Sequence, residues 1–189
     1  EFNRNEKIKN LKKSKNIITN KFSKQFKNKK IIKNFVTKSN SRISVLIAMH
    51  NFYDSPHVFG DMLFSDFYEW LKFLVKISKK TNYNWYLKLH PENDINDLTF
   101  IKKIISKNKN IKIFSPTLGL KNVLEKNIKY VLTCYGTIGY EYAYHGLTVI
   151  NACKMNPHFK FKFNHNPESI SQYSKMILNI NKFKINPSK

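Results

Sequence analysis

Three short groups of residues have the types and spacing to handle a phosphorylated ligand. The first is Gly136-Thr-Ile-Gly139 with Glu141 two residues beyond. Where such a segment opens a helix, its unpaired N–H groups and positive dipole end attract an anion, and glycine lets the anion reach the backbone. Thr137 adds a hydroxyl donor. Glu141, four residues on, shares its helix face. A carboxylate one turn behind an anion site is placed to accept hydrogen bonds from a ribose diol. A helix merely capped by Thr137 leaves Glu141 without a role, because a capping box needs Glu or Gln at position 140, which is Tyr140. The pattern is not the dinucleotide GxGxxG.

The second group, Lys88-Leu-His-Pro91, ends an apolar run with a cation, an imidazole and a ring that stops a strand. His90 is thereby held at a strand end, where imidazole and ammonium suit a phosphate. The third, residues 50–57, holds His50, Asn51, Tyr53, Asp54, Ser55 and His57. Its spacing fits no common zinc pattern and no cysteine joins it, so neither a metal nor a bound cofactor is expected. No nucleophile elbow occurs either.

These groups need a scaffold that brings them to one place. Apolar β-rich runs at 43–50, 84–90, 111–114, 130–134 and 147–150 predict five strands. Between and after them, helical spacing predicts helices over 64–80, with Ser65 as N-cap, then 98–106, 120–126, 138–145 and 167–179. Strict alternation of strand and helix with short links means βαβ units: an α/β, Rossmann-like parallel sheet covered by helices on both faces. Ligands of such sheets bind at the C-terminal strand edge. All three groups follow a strand. They are therefore expected to face one crevice, with His90 and Gly136 at the same edge.

The 189 residues carry 34 Lys+Arg against 12 Asp+Glu, a formal charge of +22. Only Arg4 and Arg42 are arginines, so the guanidinium fork that phosphate and groove readers use is nearly absent. A basic nucleic-acid-binding module stays as an alternative, but aromatics do not interleave with basic positions as a stacking platform requires. Half of the excess charge sits in residues 1–40. That gives three parts: a basic linker or loose helix over 1–42, the α/β domain over 43–182 and a tail over 183–189. Lysines with Phe22, Phe26 and Phe35 would suit peripheral contact with an anionic membrane at the inner face of the cell membrane. No apolar run approaches a membrane span and no secretory core is evident, so the chain reads as cytoplasmic. Cys134 and Cys153 lie outside any CxxC pair and read as free thiols.

The strings Lys88-Leu-His-Pro91, Gly136-Thr-Ile-Gly-Tyr-Glu141 and Gly146-Leu-Thr-Val-Ile150 resemble the C-terminal half of capsule polysaccharide biosynthesis proteins. These are bacterial glycosyltransferases of the GT-B type, some using CMP-activated sugars. His50-Asn-Phe-Tyr-Asp-Ser-Pro-His57, followed by Trp70, is similar to the opening of that half in surface-polysaccharide relatives. The resemblance covers about residues 43–180 and implies the nucleotide-sugar-binding half of a transferase for cell-envelope polysaccharide. It implies that His90 and Thr137 hold the donor phosphate and Glu141 the ribose of a CMP- or UDP-linked sugar, with Lys88, Pro91, Gly136 and Gly139 as the further substrate-binding candidates of the same strings. Asp54 and His57 would face the cleft as catalytic candidates, near the sugar or a glycan or glycolipid acceptor. A sugar-nucleotide 2-epimerase shares the two-domain fold and the glutamate after a glycine turn. In either case the family's N-terminal domain cannot be formed by residues 1–42. The chain is then expected to be a fragment, or to work with a separate partner domain.

Overall fold

The computed structural model describes residues 42–183, apart from 59, 107, 109, 116, 117, 157 and 158. The expected basic segment and C-terminal tail lie almost wholly outside the described residues. Five strands form one sheet: β1 (Ser44–Ala48), β2 (Asn84–Lys88), β3 (Ile111–Phe114), β4 (Tyr130–Thr133) and β5 (Thr148–Asn151). Their order is β3-β2-β1-β4-β5 and every pairing is parallel. This is a Rossmann-like α/β fold. The chain runs outward from β1 to β3, then crosses back to lay β4 on the other side of β1. The order reverses between β1 and β4, and a crevice opens beyond their C-terminal ends.

The helices are α1 (Phe67–Ser78), α2 (Ile95–Ile105), α3 (Leu120–Glu125), α4 (Thr137–Tyr144) and α5 (Ile170–Leu178), with a final 3₁₀ turn over Ile180–Lys182. Successive strand residues point to opposite faces. Val45, Ile47, Trp85, Leu87, Leu132 and Ile150 form one core with Trp70, Leu71 and Leu74 of α1, Ile101 of α2, and Tyr173 and Ile177 of α5. Within it the fully buried Trp70 Nε1–H donates to the Tyr173 hydroxyl at 3.1 Å. On the opposite face α4 packs on β4 and β5. β1, β4 and β5 are buried along their whole length, whereas β2 alternates and leaves Asn84, Tyr86 and Lys88 half-buried.

Element ends depart from the sequence expectation where a cap decides them. α1 is capped by Asp66, not Ser65: the Asp66 carboxylate accepts the Glu69 N–H at 2.7 Å, while the Ser65 carbonyl is engaged by His57. α2 starts at Ile95 rather than near Leu98 because Asp94 and Asp97 close a capping box. α5 begins only after Ser169, so Pro167 stays outside it. β5 begins one residue later than expected. Gly146, at φ +83°, ends α4 in a Schellman turn whose Gly146 and Leu147 N–H groups donate to the Ala143 and Tyr142 carbonyls.

Candidate functional site

A cleft of about 290 Å³ lies at the reversal point of the sheet. Each wall is the end of a strand: Ala48, Met49 and His50 at the end of β1; Lys88, Leu89, His90 and Pro91 along β2's end; Thr133, Tyr135, Gly136, Thr137 and Ile138 from β4 into α4. Asp54 reaches it from the loop after β1. His90 and Gly136 thus share one edge, as the sequence implied.

The turn into α4 exists because position 136 is glycine. Gly136 has φ +105° and ψ 177°, a region open essentially to glycine alone. It is the N-cap, and no side chain caps the helix or places an acidic group in its first turn. The first N–H groups of α4, with the helix dipole behind them, therefore open toward the cleft. The other glycine has a different task. A Cβ on Gly139 would meet the Asn164 amide at 3.2 Å and the Asn151 amide at 3.6 Å, so Gly139 lets α4 pack on the segment beyond β5. It does not line the cleft, which corrects the expectation that both glycines admit the ligand.

His90 is fixed by a short relay. Its backbone N–H donates to Asn93 Oδ1 at 2.8 Å, and Asn93 Nδ2 donates to the buried Asp97 carboxylate at 2.8 Å. The Asn93 N–H also closes a turn on the His90 carbonyl, with Pro91 inside it. The Glu92 N–H donates to His90 Nδ1 at 3.3 Å, so in the neutral ring the proton sits on Nε2, the other nitrogen. Beside it, burial lowers the Lys88 pKa, and the charge of Glu141 counteracts this. Glu141 is half-buried one turn along α4 and is not itself part of the cleft wall.

The floor of the cleft is a residue that the three groups underrated. His50 stacks on Phe67 with ring centroids 4.7 Å apart, and tilts against Tyr135 at 4.6 Å. Its Nε2 accepts the Tyr135 N–H at 3.3 Å and lies 3.2 Å from Thr133 Oγ1. The imidazole therefore ties the end of β1 to the strand-to-helix turn after β4. Burial, with the neighbouring charge of His90, lowers its pKa to about 4, so it is neutral at ordinary pH. Burial and the Asp54 charge push the Tyr135 phenol up to about 12, and its hydroxyl donates to the Ser55 carbonyl. The signal for His50 was present in the sequence, where the apolar run of β1 ends on it.

His57 is not brought to the cleft. Its Nε2 lies 2.8 Å from the Ser65 carbonyl oxygen, tying the loop to the residues before α1. The histidine does a loop-anchoring job because the chain turns away at residues 55–58, and the expectation that it faces the cleft is corrected. Among the described residues no group of three or more His, Cys, Asp or Glu side chains is arranged to hold a metal ion. Among the same residues no helix is long and apolar enough to cross a membrane.

No protein-family profile matches this chain and no curated protein sequence matches it. Among solved structures, it is similar to the UDP-GlcNAc 2-epimerase from Neisseria meningitidis, determined bound to UDP-GlcNAc. That alignment has a TM-score of 0.44 and 16% identity, covering 88% of this chain and 51% of the other. The chain thus spans about half the length of that structure.

Proposed function

We propose that the chain is the nucleotide-sugar-binding half of a cytoplasmic glycosyltransferase for capsule or other surface polysaccharide. The supporting observation is the convergence of an uncapped helix start with Lys88 and His90 in one cleft, at the reversal point of the sheet. The donor phosphate sits against the first N–H groups of α4 and the Thr137 hydroxyl, with His90 Nε2–H and the Lys88 ammonium on its other side. The ribose lies along α4 toward Glu141. That carboxylate also favours the charged form of Lys88 against desolvation.

In the transfer step the acceptor hydroxyl oxygen bonds to the anomeric carbon as the bond from that carbon to the donor phosphate oxygen breaks. Negative charge grows on the departing phosphate, where donors already fixed in place stabilise it without reorganising. Asp54, the carboxylate on the cleft wall, takes the acceptor proton. The rest of the rate gain is positioning.

Calorimetry with CMP and UDP tests this reading. Each hydrogen bond to the charged phosphate contributes roughly 1.5–3 kcal/mol, so His90→Ala weakens binding about tenfold or more. A folded chain that binds neither nucleotide contradicts the proposal. Conversion of a lone sugar nucleotide, followed by mass spectrometry, would replace the transferase reading with an epimerase one.

A further inference from the structure

A second, larger hollow of about 590 Å³ opens past the end of β5, lined by Asp61, Lys154, Met155, Phe159, Asn166 and Glu168. We infer that it is a carbohydrate subsite, which takes the neutral pyranose end of the glycan acceptor. In naming that ligand an acceptor, the inference rests on the transferase reading.

The central observation is how Asn166 is held. Its Oδ1 accepts two amide N–H bonds at 2.7 Å each, from Asn151 Nδ2 and Asn156 Nδ2. Those two asparagines are 1% and 4% exposed. With its oxygen doubly occupied by buried donors, the Asn166 amide has a fixed orientation. Its NH₂ meets no acceptor among the described residues and is left for the hollow that Asn166 lines. Half-buried and held in this way, the amide donor is preorganised for a ligand acceptor that would take the place of solvent.

The remaining lining supplies the complement. Asp61 and Glu168 offer acceptors, Lys154 offers a donor, and the 42% exposed Phe159 offers a ring with the Lys160 ammonium over one face, 5.9 Å from its centroid, and its other face for a ligand. Backbone bonds set these positions: the Lys154 N–H donates to the Asp61 carbonyl at 3.0 Å and the Phe159 N–H to the Asn156 carbonyl at 3.0 Å. Two carboxylates oppose a second phosphate, and the ammonium opposes a bare cation. Donors and acceptors around a ring face match a pyranose, whose hydroxyls do both jobs and whose C–H face packs on an aromatic ring. The location fits too. β5 lies two strands from β1, about 10 Å along the same C-terminal edge as the nucleotide cleft.

The test uses the full chain and saturation-transfer NMR with lactose, maltose and N,N′-diacetylchitobiose at millimolar concentration, beside calorimetry with CMP and UDP. At least one disaccharide should show transfer. Asn166→Asp keeps the oxygen that Asn151 and Asn156 use and replaces the free donor. Phe159→Leu removes the ring at an exposed site. Each should weaken the disaccharide by about fivefold, the equivalent of one neutral hydrogen bond or ring contact, and leave nucleotide affinity unchanged. Absence of transfer from all three sugars overturns the inference, as does transfer indifferent to both substitutions. Loss of nucleotide affinity in Asn166→Asp overturns it as well, by assigning the hollow to the nucleotide. Disaccharide binding without CMP or UDP binding would keep the carbohydrate subsite and sink the nucleotide-sugar proposal instead.

Discussion

His50 makes the stability of this domain depend on pH in a way that can be isolated. Its imidazole titrates near 6.5 in an unfolded chain, but its folded pKa is about 4 because it is buried beside His90. Between those values the unfolded state binds a proton that the folded state refuses. The contribution is fully present above the unfolded pKa and is lost as pH falls toward the folded one. Integrated from pH 7.5 to 5, it comes to about 2 kcal/mol of stability. Histidines 145 and 165, also lowered by burial, act in the same direction, so the whole-protein slope cannot be assigned to one ring. His50→Gln isolates it. The amide oxygen can still accept the Tyr135 N–H bond, but the side chain does not titrate. Urea unfolding at pH 7.5 and at pH 5 should show the parent losing about 2 kcal/mol more than the variant. Equal losses in the two proteins would refute the reasoning, as would a His50 ring that titrates by NMR near its unperturbed value.

Gly136→Ala forces a side chain into a backbone region costing roughly 1–3 kcal/mol, although His50 Cε1 at 3.6 Å leaves room for the methyl group. Thermal unfolding should report that loss, and CMP or UDP affinity should fall with it as the α4 turn relaxes. Tyr173→Phe strands the buried Trp70 N–H and should destabilise by about 1–3 kcal/mol in urea titrations, with nucleotide affinity unaltered. Glu141→Gln should weaken ribonucleotides more than their 2′-deoxy counterparts in calorimetry, and equal weakening would remove Glu141 from the ribose.

The fold was legible because the strands of a parallel sheet read as nearly continuous apolar runs. Val45–Met49 and Val131–Leu132 show that pattern without help from the three-dimensional structure. Helix starts were less legible. Asp66 and Ser65 are adjacent residues of similar capping ability, and the structure gives the cap to the Asp66 carboxylate while the Ser65 carbonyl is engaged by His57. The site was half legible. Residues that follow strands directly, such as His90 and Gly136, were placed by topology alone. Loop residues were not, since a loop of eight or so residues can aim a side chain either way: Asp54 reaches the cleft and His57 turns back. Gly139 carried a misleading signal because a glycine needed for helix packing looks in sequence like one needed for a ligand. The hollow past β5 was invisible for another reason. It depends on Asn151, Asn156 and Asn166 meeting across fifteen residues, in a chain where asparagine is abundant everywhere.

The most direct test of the central claim is a crystal structure of the chain soaked with CMP or UDP. The expected result is a phosphate at about 3 Å from the first N–H groups of α4 and from His90 Nε2, at the edge shared by β1, β2 and β4. A nucleotide phosphate bound anywhere else, including the hollow past β5, would contradict it.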